Sequence, residues 1–300
     1  MGFASNNIDL FSKYVWYYRK KLVELLLSDE NYIKYKYKRV VGFSPDLKNP
    51  KSFTEKINWL KLHWRNPILT QCADKYEVRK FVEARGAGEL LKTLYGVYEK
   101  PEDIDYAALP DSFVLKVNHG CKQNFLCENK NDLNQKETAQ LLKFYLKFSN
   151  YHRAREWAYK KIPPRIICEE HLTSDGSPMF EYNFYCYNGS PELVEIAHKE
   201  MPDKSRTNMF DLNLNLLERK YNALPLEIVP QRTKEYEQML AYARTLSQGF
   251  PFVRVDLFVV KNKIYFGEMT FYPISGIYKF KPISFDDFLG SFLKLPEPFN

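Results

Sequence analysis

The chain has 300 residues, of which 45% are hydrophobic and 27% are charged, and its formal net charge is +7. This length allows one large domain or two to three small fused lobes with sizeable hydrophobic cores. A moderate positive charge favours polyanionic ligands such as nucleotides, acidic sugars or anionic lipid headgroups, whereas the lack of an Arg-rich block or a nucleic-acid motif argues against nucleic acid as a partner.

The cysteines and the hydropathy set further bounds. The five cysteines are odd in number, and no two have the C-x-x-C spacing that is typical of zinc and redox sites. This favours a reducing compartment without disulfides. No run of 18 uncharged apolar residues predicts a transmembrane helix, and no apolar N-terminal stretch indicates a secretory signal. We therefore expect a cytoplasmic protein.

The N-terminal region, residues 1–72, is predicted to be mainly helical. Residues 9–28 have a helical pattern interrupted by basic side chains, and residues 32–39 alternate Tyr or Ile with Lys. Such a basic, aromatic segment could contact the inner face of a membrane peripherally, or it could pack on its neighbours. Residues 53–64 form a second predicted helix.

A helix is next predicted to begin at Asp74, since Glu77 three residues later completes a capping-box pattern. Residues 113–117, FVLKV, predict a strand. If its apolar residues face the core, Lys116 faces the opposite side, where it could reach a phosphate together with backbone amides of the loop 118–124. An ordinary surface lysine is the alternative interpretation.

The middle of the chain alternates helices with hairpin signals. A helix is predicted over residues 136–148, and a strand over residues 165–168 ends in Glu169 and Glu170. Segments 181–187 and 192–197 flank Asn188-Gly189, which is a hairpin signal, and a helix over 236–246 follows. Helices combined with antiparallel hairpins indicate an α+β protein.

The most informative segments are two predicted strands near the C-terminus. Residues 252–260 read FVRVDLFVV and residues 264–271 read IYFGEMTF, and Lys261 to Lys263 are predicted to form a tight three-residue turn between them.

Pairing outward from that turn sets Asp256 opposite Glu268 and Arg254 opposite Thr270. Two carboxylates side by side on a sheet repel each other, and a bound cation removes the repulsion. Mg²⁺ is typical of sites with one or two carboxylates and substrate phosphates. The alternatives are a solvated hairpin face, or a register slip of one residue that separates the carboxylates.

Several segments, taken in order, resemble the TupA-like ATP-grasp family of polysaccharide biosynthesis, within the ATP-grasp superfamily. The resemblance extends from about Asn49 to Leu295. The segments that carry it are SFTEKINWLKL, ADKYEVRKFV, LPDSFVLKVNHG, PRIICEEHL, EYNFYCYNGSP and FPFVRVDLFVVKNKIYFGEMTFYPISG. The last segment is the most specific, and each of the others is weak alone but falls in the right order.

The resemblance implies an ATP-grasp fold, in which two α+β lobes hold ATP between them and an N-terminal helical segment precedes them. The first lobe would span residues 73–167, and the second lobe, with the metal site, residues 168–300.

The resemblance also implies which residues bind ATP, and these come from both lobes: Lys75, Lys116, His119, Gly120, Glu169, Glu170, Leu172 and Glu181. Lys75 and Lys116 would contact the α- and β-phosphates. Glu169 to Leu172 would form the hinge strand beside adenine, and Glu181 would reach the ribose.

By the same analogy, Asp256 and Glu268 would bind Mg²⁺, and Thr270 stands where the superfamily often has Asn. Arg254 would lie near an acyl phosphate and stabilise its developing negative charge.

The chain departs from the family pattern at two points. Asn183 occupies a position where the family has Lys, which would remove a phosphate contact. The loop after Gly120 is usually small and rich in Gly and Ser, but here it reads Cys121-Lys122-Gln123. This change would stiffen or recharge the phosphate loop, and Lys122 could replace the lost charge.

The activity implied by the resemblance is that of an ATP-dependent carboxylate–amine ligase. ATP would phosphorylate a carboxylate, and an amine would then attack the acyl phosphate. The substrates would be a sugar acid or glycan acceptor and an amine or amino-acid donor, in a capsule, O-antigen or teichuronic-type polymer. Two alternatives stay open: a sugar kinase with a hydroxyl acceptor at the same ATP site, and a non-catalytic nucleotide- or glycan-binding member of a polysaccharide assembly complex.

Overall fold

A computed structural model of the protein describes residues 10–121, 123–173, 179–201, 204–217, 224–227 and 231–299. Its helices are α1 (Leu10–Leu26), α2 (Asp29–Val41), α3 (Phe53–His63), α4 (Ile68–Ala73), α5 (Val78–Ala84), α6 (Gln135–Lys147), α7 (Asn150–Ala154), α8 (Lys234–Ser247) and α9 (Ser284–Phe292). Its strands are β1 (Leu94–Tyr98), β2 (Phe113–Val117), β3 (Asn124–Cys127), β4 (Ile166–Glu170), β5 (Phe180–Tyr187), β6 (Ser190–Met201), β7 (Lys204–Asp211), β8 (Phe252–Val260) and β9 (Lys263–Thr270).

The strands form two antiparallel sheets. The first has the order β1-β4-β2-β3, and the second has the order β7-β6-β5-β8-β9. Helix α6 packs against the first sheet, and α8 packs against β5, β6 and β8 of the second. The predicted α+β class is confirmed.

The first sheet is organised by the alternation of β2. Phe113, Leu115 and Val117 are fully buried, whereas Lys116 on the opposite face is only half-buried. The buried face shares a core with Leu142 of α6. Period-2 alternation therefore leaves the Lys116 side chain on the face that looks toward the second sheet.

Along the chain, β4 of the first sheet ends at Glu170 and β5 of the second sheet begins at Phe180. Strand β4 continues to Glu170 and pairs with β1 and β2, so it belongs to the first sheet along its whole length. The boundary expected at residue 167 would divide this strand.

Helix α2 of the N-terminal region packs on its neighbours through one face. Tyr32, Ile33 and Tyr37 are buried, and Asp29 at the start of the helix accepts a hydrogen bond from Arg65 at 2.9 Å. Asp9, where the first helix was expected to begin, lies outside the described residues. None of the described helices combines the length and the apolar character needed to span a bilayer.

The turn between β8 and β9 is shorter than the sequence predicts. Lys261 and Asn262 alone form it, with φ values of 51° and 60°, and Val260 pairs with Lys263. The predicted three-residue turn is wrong, because a two-residue turn with positive φ at both positions matches the twist of the strands better.

The facing of Asp256 and Glu268 is nevertheless confirmed, because a β-bulge restores the register. Gly267 is the extra residue, since the ladder passes from Leu257–Phe266 directly to Asp256–Glu268. A Cβ at Gly267 would lie 2.8 Å from the Asp256 carbonyl oxygen, so the bulge requires glycine. The bulge residue offsets the residue missing from the turn.

Candidate active site

A cavity of about 770 Å³ lies between the two sheets, lined by residues of α4, β2, β4, β5, β8 and β9 and by the turn Pro273–Gly276. This volume lies in the range of about 300–1,000 Å³ that is typical of small-molecule sites. Cations outnumber carboxylates in the lining: Lys75, Arg79, Lys92, Lys116, Arg153 and Arg254 against Glu156, Glu169, Glu181 and Glu268. The excess of positive charge suits a polyanionic ligand.

Arg254 and Asp256 form a bidentate ion pair on the cavity wall. Arg254 Nε donates to Asp256 Oδ1 at 2.7 Å, and Nη2 donates to Oδ2 at 2.5 Å. Asp256 is fully buried, and burial raises the pKa of its carboxyl, whereas the Arg254 guanidinium favours the ionised form. Arg254 Nη2 also donates to Thr270 Oγ1 at 3.3 Å and lies 3.9 Å from Glu268 Oε1. One guanidinium thus binds Asp256 directly and lies near Glu268.

Lys75 crosses the cavity to Glu268. Lys75 Nζ donates to Glu268 Oε2 at 3.0 Å, and the charge of Lys75 lowers the pKa of Glu268 to about 2. The Lys75 backbone N–H donates to the carbonyl of Asn118 after β2, and Asn118 Nδ2 donates to Asp74 Oδ2 at 2.9 Å. The Asp74–Lys75 turn is therefore fixed to the end of β2.

Helix α5 begins at Val78, so the predicted start at Asp74 is wrong. The Asp74 carboxylate instead accepts bonds from the N–H groups of Tyr76 and Glu77, at 2.8 and 3.3 Å, and holds a turn ahead of the helix. Short polar side chains favour such local turns over an early helix start.

A second ion-pair cluster surrounds Glu169 on β4. Lys116 Nζ donates to Glu169 Oε2 at 2.5 Å, Lys92 Nζ lies 3.3 Å from the same oxygen, and Arg79 Nη1 lies 3.8 Å from Oε1. Burial opposes ionisation of Glu169, but Lys116 and Lys92 lower its pKa to about 2. Burial, together with nearby Lys92, lowers the pKa of Lys116 to about 8. Three cations sharing one carboxylate leave positive charge for an anionic ligand.

Asn183 adds an unused acceptor beside the acidic pair. It pairs with Asp256 in the β5–β8 register, and therefore points to the same face. Its Oδ1 atom is buried with no hydrogen-bond partner among the described residues. A buried carbonyl oxygen without a donor, next to two carboxylates, suits a cation or a ligand hydroxyl.

The donor set fits Mg²⁺ rather than a cation held by protein alone. Across the described residues, no three His, Cys, Asp or Glu side chains gather as metal ligands. Asp256 and Glu268 supply two hard oxygen ligands, so phosphate and water oxygens would complete the octahedron.

The structure brings most of the predicted site residues to this one cavity: Lys75, Lys116, Glu169, Glu181, Arg254, Glu268 and Thr270 line it, and Asp256 lies behind Arg254. Four others lie elsewhere. His119 borders a separate cavity of about 460 Å³, and burial lowers its pKa to about 4. Gly120 and Leu172 border neither cavity, and the Glu170 carboxylate accepts a bond from Thr93 Oγ1 at 3.1 Å. Lys122 lies outside the described residues.

Sequence reasoning missed Lys92 and Arg79 of the Glu169 cluster. Lys92 precedes β1 and lies in none of the segments that carry the resemblance, and Arg79 lies on α5 within ADKYEVRKFV, in which only Lys75 was singled out as a site residue. Only the pairing of β4 with β1 and β2 brings Glu169 near them, and this long-range pairing leaves no local signal. Asn183 was noted only as a departure from a family pattern.

Comparison with known families gives one match over most of the chain. The sequence model of the family described as TupA-like ATPgrasp matches residues 55–294. A comparison with curated proteins gives no match.

Solved structures of ATP-dependent ligases are among the similar folds. D-alanine–D-alanine ligase from Bacillus anthracis, complexed with ATP, has 13% identity and a TM-score of 0.39, covering 67% of this chain and 53% of that chain. The corresponding ligase from Helicobacter pylori has 15% identity and a TM-score of 0.40, covering 74% and 61%. The ATP-grasp ligase PsnB, complexed with a phosphomimetic variant of its minimal precursor, Mg and ADP, has 12% identity and a TM-score of 0.40, covering 80% and 66%. The chain spans between half and two thirds of the length of these structures.

Proposed function

The chain belongs to the TupA-like ATP-grasp family, and on this premise we propose that it is an ATP-dependent carboxylate–amine ligase. Its substrates are proposed to be a sugar acid and an amine or amino acid, joined as an amide during synthesis of a capsule, O-antigen or teichuronic-type polysaccharide. The observation that carries the proposal is the network of Lys75, Glu268, Arg254 and Asp256 on the wall of one cationic cavity.

Lys75 and Lys116 are proposed to bind the ATP phosphates. Each of them now donates to a carboxylate, Glu268 and Glu169 respectively. Phosphate oxygens would replace these acceptors with charge-assisted hydrogen bonds of the same kind. Release of Lys75 would free an oxygen of Glu268 for a metal ion.

Asp256 and Glu268 would hold Mg²⁺, with Asn183 Oδ1 and Thr270 Oγ1 close to the same face. When bound, the ion neutralises phosphate oxygens and orients the phosphoryl group for in-line transfer. The fixed Arg254–Asp256 pair keeps one metal carboxylate from rotating away.

Arg254 is proposed to stabilise charge on the reacting acyl group. Asp256 and Thr270 use only its Nε and Nη2 atoms, so Nη1 takes part in neither contact. A planar guanidinium held at two points can present its remaining N–H groups to an oxyanion without reorganising. The enzyme would therefore act mainly by positioning and charge neutralisation.

The proposal is tested with ATP, Mg²⁺ and single uronic acids, beginning with D-glucuronic and D-galacturonic acid, in the presence of hydroxylamine. Hydroxylamine traps an acyl phosphate as a hydroxamate, so a ligase yields hydroxamate, ADP and phosphate in equal amounts. Glycine is then substituted for hydroxylamine to measure amide formation. A phosphorylated sugar without phosphate release would identify a kinase instead. ATP binding with no product from any carboxylate would support a non-catalytic role and contradict the proposal.

A further inference from the structure

The end of the cavity beyond Glu268 is closed by a turn with unusual backbone conformation. Ile274 and Ser275, in the turn Pro273–Gly276, have φ values of 49° and 55°. A β-branched residue at positive φ is a conformational outlier, and such strain is characteristic of functional sites. Both residues line the cavity.

Two buried polar residues of α3 hold this turn in place. Lys61 Nζ donates to the carbonyl oxygens of Ser275 and Ala154, at 2.6 and 3.1 Å. Asn58 Nδ2 donates to the carbonyl oxygen of Gly276 at 2.6 Å. Lys61 is only 1% exposed, so its ammonium donates to these backbone carbonyl groups and not to water.

Glu156 presents its carboxylate to the cavity beside this turn. Ser275 Oγ donates to Glu156 Oε1 at 2.6 Å, and Glu156 is 8% exposed. Tyr272 Oη, at the same end of the cavity, is buried without a hydrogen-bond partner in the described part of the chain. A buried carboxylate beside an unpaired hydroxyl offers two acceptors to a hydrogen-bond donor such as an ammonium group.

Glu156 lines the same cavity as Glu268 of the proposed metal site. Tyr159 lines the cavity, and the raised pKa of its phenol reflects burial first and then the negative charges of both Glu156 and Glu268. The charges of both carboxylates therefore act on the phenol of this one tyrosine.

We propose that Glu156, with the Ser275 hydroxyl, forms the subsite for the amine donor and accepts the proton that the amine must lose before it attacks. The assignment rests on the proposed ligase function and names the residue that this reaction needs for its second step. Lys61 is a positioning residue, since it holds the backbone of the Ser275 turn and its charge also acts on the Glu156 carboxylate.

The donor enters as an ammonium ion, and the Glu156 carboxylate takes one proton to give a neutral amine. The amine lone pair then attacks the acyl carbon, the C–N bond forms, and the bond from that carbon to the phosphate oxygen breaks. The second nitrogen proton leaves with the phosphate, and Glu156 returns its proton to solvent. Burial raises the pKa of Glu156, which favours proton uptake, although the charges of Lys61, Arg153 and Lys36 and the Ser275 hydrogen bond oppose this rise.

The test compares two nucleophiles in the Glu156→Gln variant. Glutamine keeps an acceptor for the Ser275 hydroxyl but cannot take a proton at neutral pH. Hydroxylamine is largely uncharged at neutral pH and needs no base, whereas glycine enters as an ammonium ion. With D-glucuronic or D-galacturonic acid, ATP and Mg²⁺, hydroxamate formation should match the wild type, and kcat for the glycine amide should fall about 100-fold, at the lower end of general-base effects.

Two further variants and a pH profile separate chemistry from structure. Glu89→Gln is the matched control, because Glu89 also accepts a hydroxyl hydrogen bond, from Tyr242 at 2.5 Å, but is exposed and away from the cavity. Ser275→Ala keeps the Glu156 charge and should lose less activity with glycine and none with hydroxylamine. The deficit of Glu156→Gln with glycine should narrow at alkaline pH, where free amine is abundant.

Equal losses with both nucleophiles, or no loss with either, would overturn the assignment of Glu156. If the wild type forms no hydroxamate from any uronic acid, the proposed function fails and this assignment fails with it. Hydroxamate from the wild type, with unchanged glycine kinetics in Glu156→Gln, would overturn the subsite alone.

Discussion

Glu268 links the two proposed roles of the cavity, phosphate binding and metal binding. Its Oε2 atom accepts a hydrogen bond from Lys75, and its Oε1 atom accepts one from Thr270 at 3.1 Å. Both contacts stabilise the Glu268 carboxylate, which explains why two facing carboxylates are tolerated on β8 and β9. Phosphate would replace Glu268 as the acceptor of the Lys75 hydrogen bond, and Mg²⁺ would replace Lys75 as the partner of Glu268.

The Glu268→Gln substitution removes one metal ligand but keeps acceptors for Lys75 and Thr270. We expect MgATP-dependent turnover to fall about 1,000-fold, equivalent to about 4 kcal/mol of transition-state stabilisation, while the fold stays intact. Steady-state kinetics and circular dichroism measure the two effects, with Glu102→Gln on the surface as the control. Activity within a few fold of the wild type would remove Glu268 from the metal site.

Asp256→Asn should also lose activity, and it should lose stability as well, because it leaves the Arg254 charge without its buried partner.

Arg254 should act mainly on the transition state. Arg254→Lys keeps the charge but cannot reproduce the two parallel bonds to Asp256, at 2.7 and 2.5 Å, and still reach the acyl group. We expect kcat and kcat/KM to fall together while the Kd for ATP changes little. Kinetics paired with calorimetry decide the matter. A weaker Kd at an unchanged kcat would make Arg254 a ground-state phosphate ligand.

Lys116 should contribute to nucleotide binding. Lys116→Ala deletes one charge-assisted contact worth about 1.5–3 kcal/mol, which corresponds to about 10- to 100-fold weaker binding of ATP. Lys92 remains next to Glu169, so the buried carboxylate keeps a cationic partner in this variant. Calorimetry measures the affinity, and Lys143→Ala, which breaks an exposed ion pair with Glu102, serves as the control. An unchanged affinity would identify Lys116 as a partner of Glu169 alone.

At the scale of secondary structure, the β8–β9 hairpin decides whether the acidic pair exists. The facing of Asp256 with Glu268 and of Arg254 with Thr270 was predicted correctly from the sequence. The turn, and the pairing between the turn and Gly267, were predicted wrongly because the prediction did not include a bulge. Gly267 could have indicated one, since a glycine within a strand often marks a bulge or a close backbone approach. Hairpin alternation and the Asn188-Gly189 turn were predictable because both depend on local backbone preferences.

Gly267→Ala should disrupt this hairpin. The added Cβ would lie 2.8 Å from the Asp256 carbonyl oxygen, so the bulge must shift, at a cost of about 1–3 kcal/mol. We expect a lower melting temperature together with a loss of Mg²⁺-dependent activity, because Asp256 and Glu268 would no longer face each other. Gly88→Ala is the control, since its nearest contact is the Cγ atom of exposed Glu83 at 3.3 Å. Full stability and activity in Gly267→Ala would show that the bulge is not needed.

At the scale of the whole molecule, the cavity joins parts of the chain that are far apart in sequence. Lys75 precedes the first sheet, Glu169 lies at its centre, and Glu268 lies on the edge strand of the second. The residues that are proposed to bind phosphate and metal were recognisable from short motifs. Their partners were not, because Lys92, Arg79 and Glu156 reach the cavity only through long-range packing.

The surroundings of Glu169 were likewise not predictable from its motif. Its place at the end of a strand, within the motif PRIICEEHL, implies a position beside adenine. In the structure its carboxylate is the shared acceptor of Lys116 and Lys92, on the wall that is proposed to bind phosphate. Sequence order alone cannot tell which neighbour a carboxylate will face, since the answer depends on how β4 pairs with β1 and β2.

MgATP is proposed to bind between the two sheets, with its metal on the β8–β9 hairpin. A crystal structure with Mg²⁺ and a non-hydrolysable ATP analogue tests this most directly. We predict a metal ion in contact with both Asp256 and Glu268, and a triphosphate that takes over the hydrogen bonds of Lys75 and Lys116. A nucleotide bound outside this cavity, or a metal ion that touches neither carboxylate, would contradict the account.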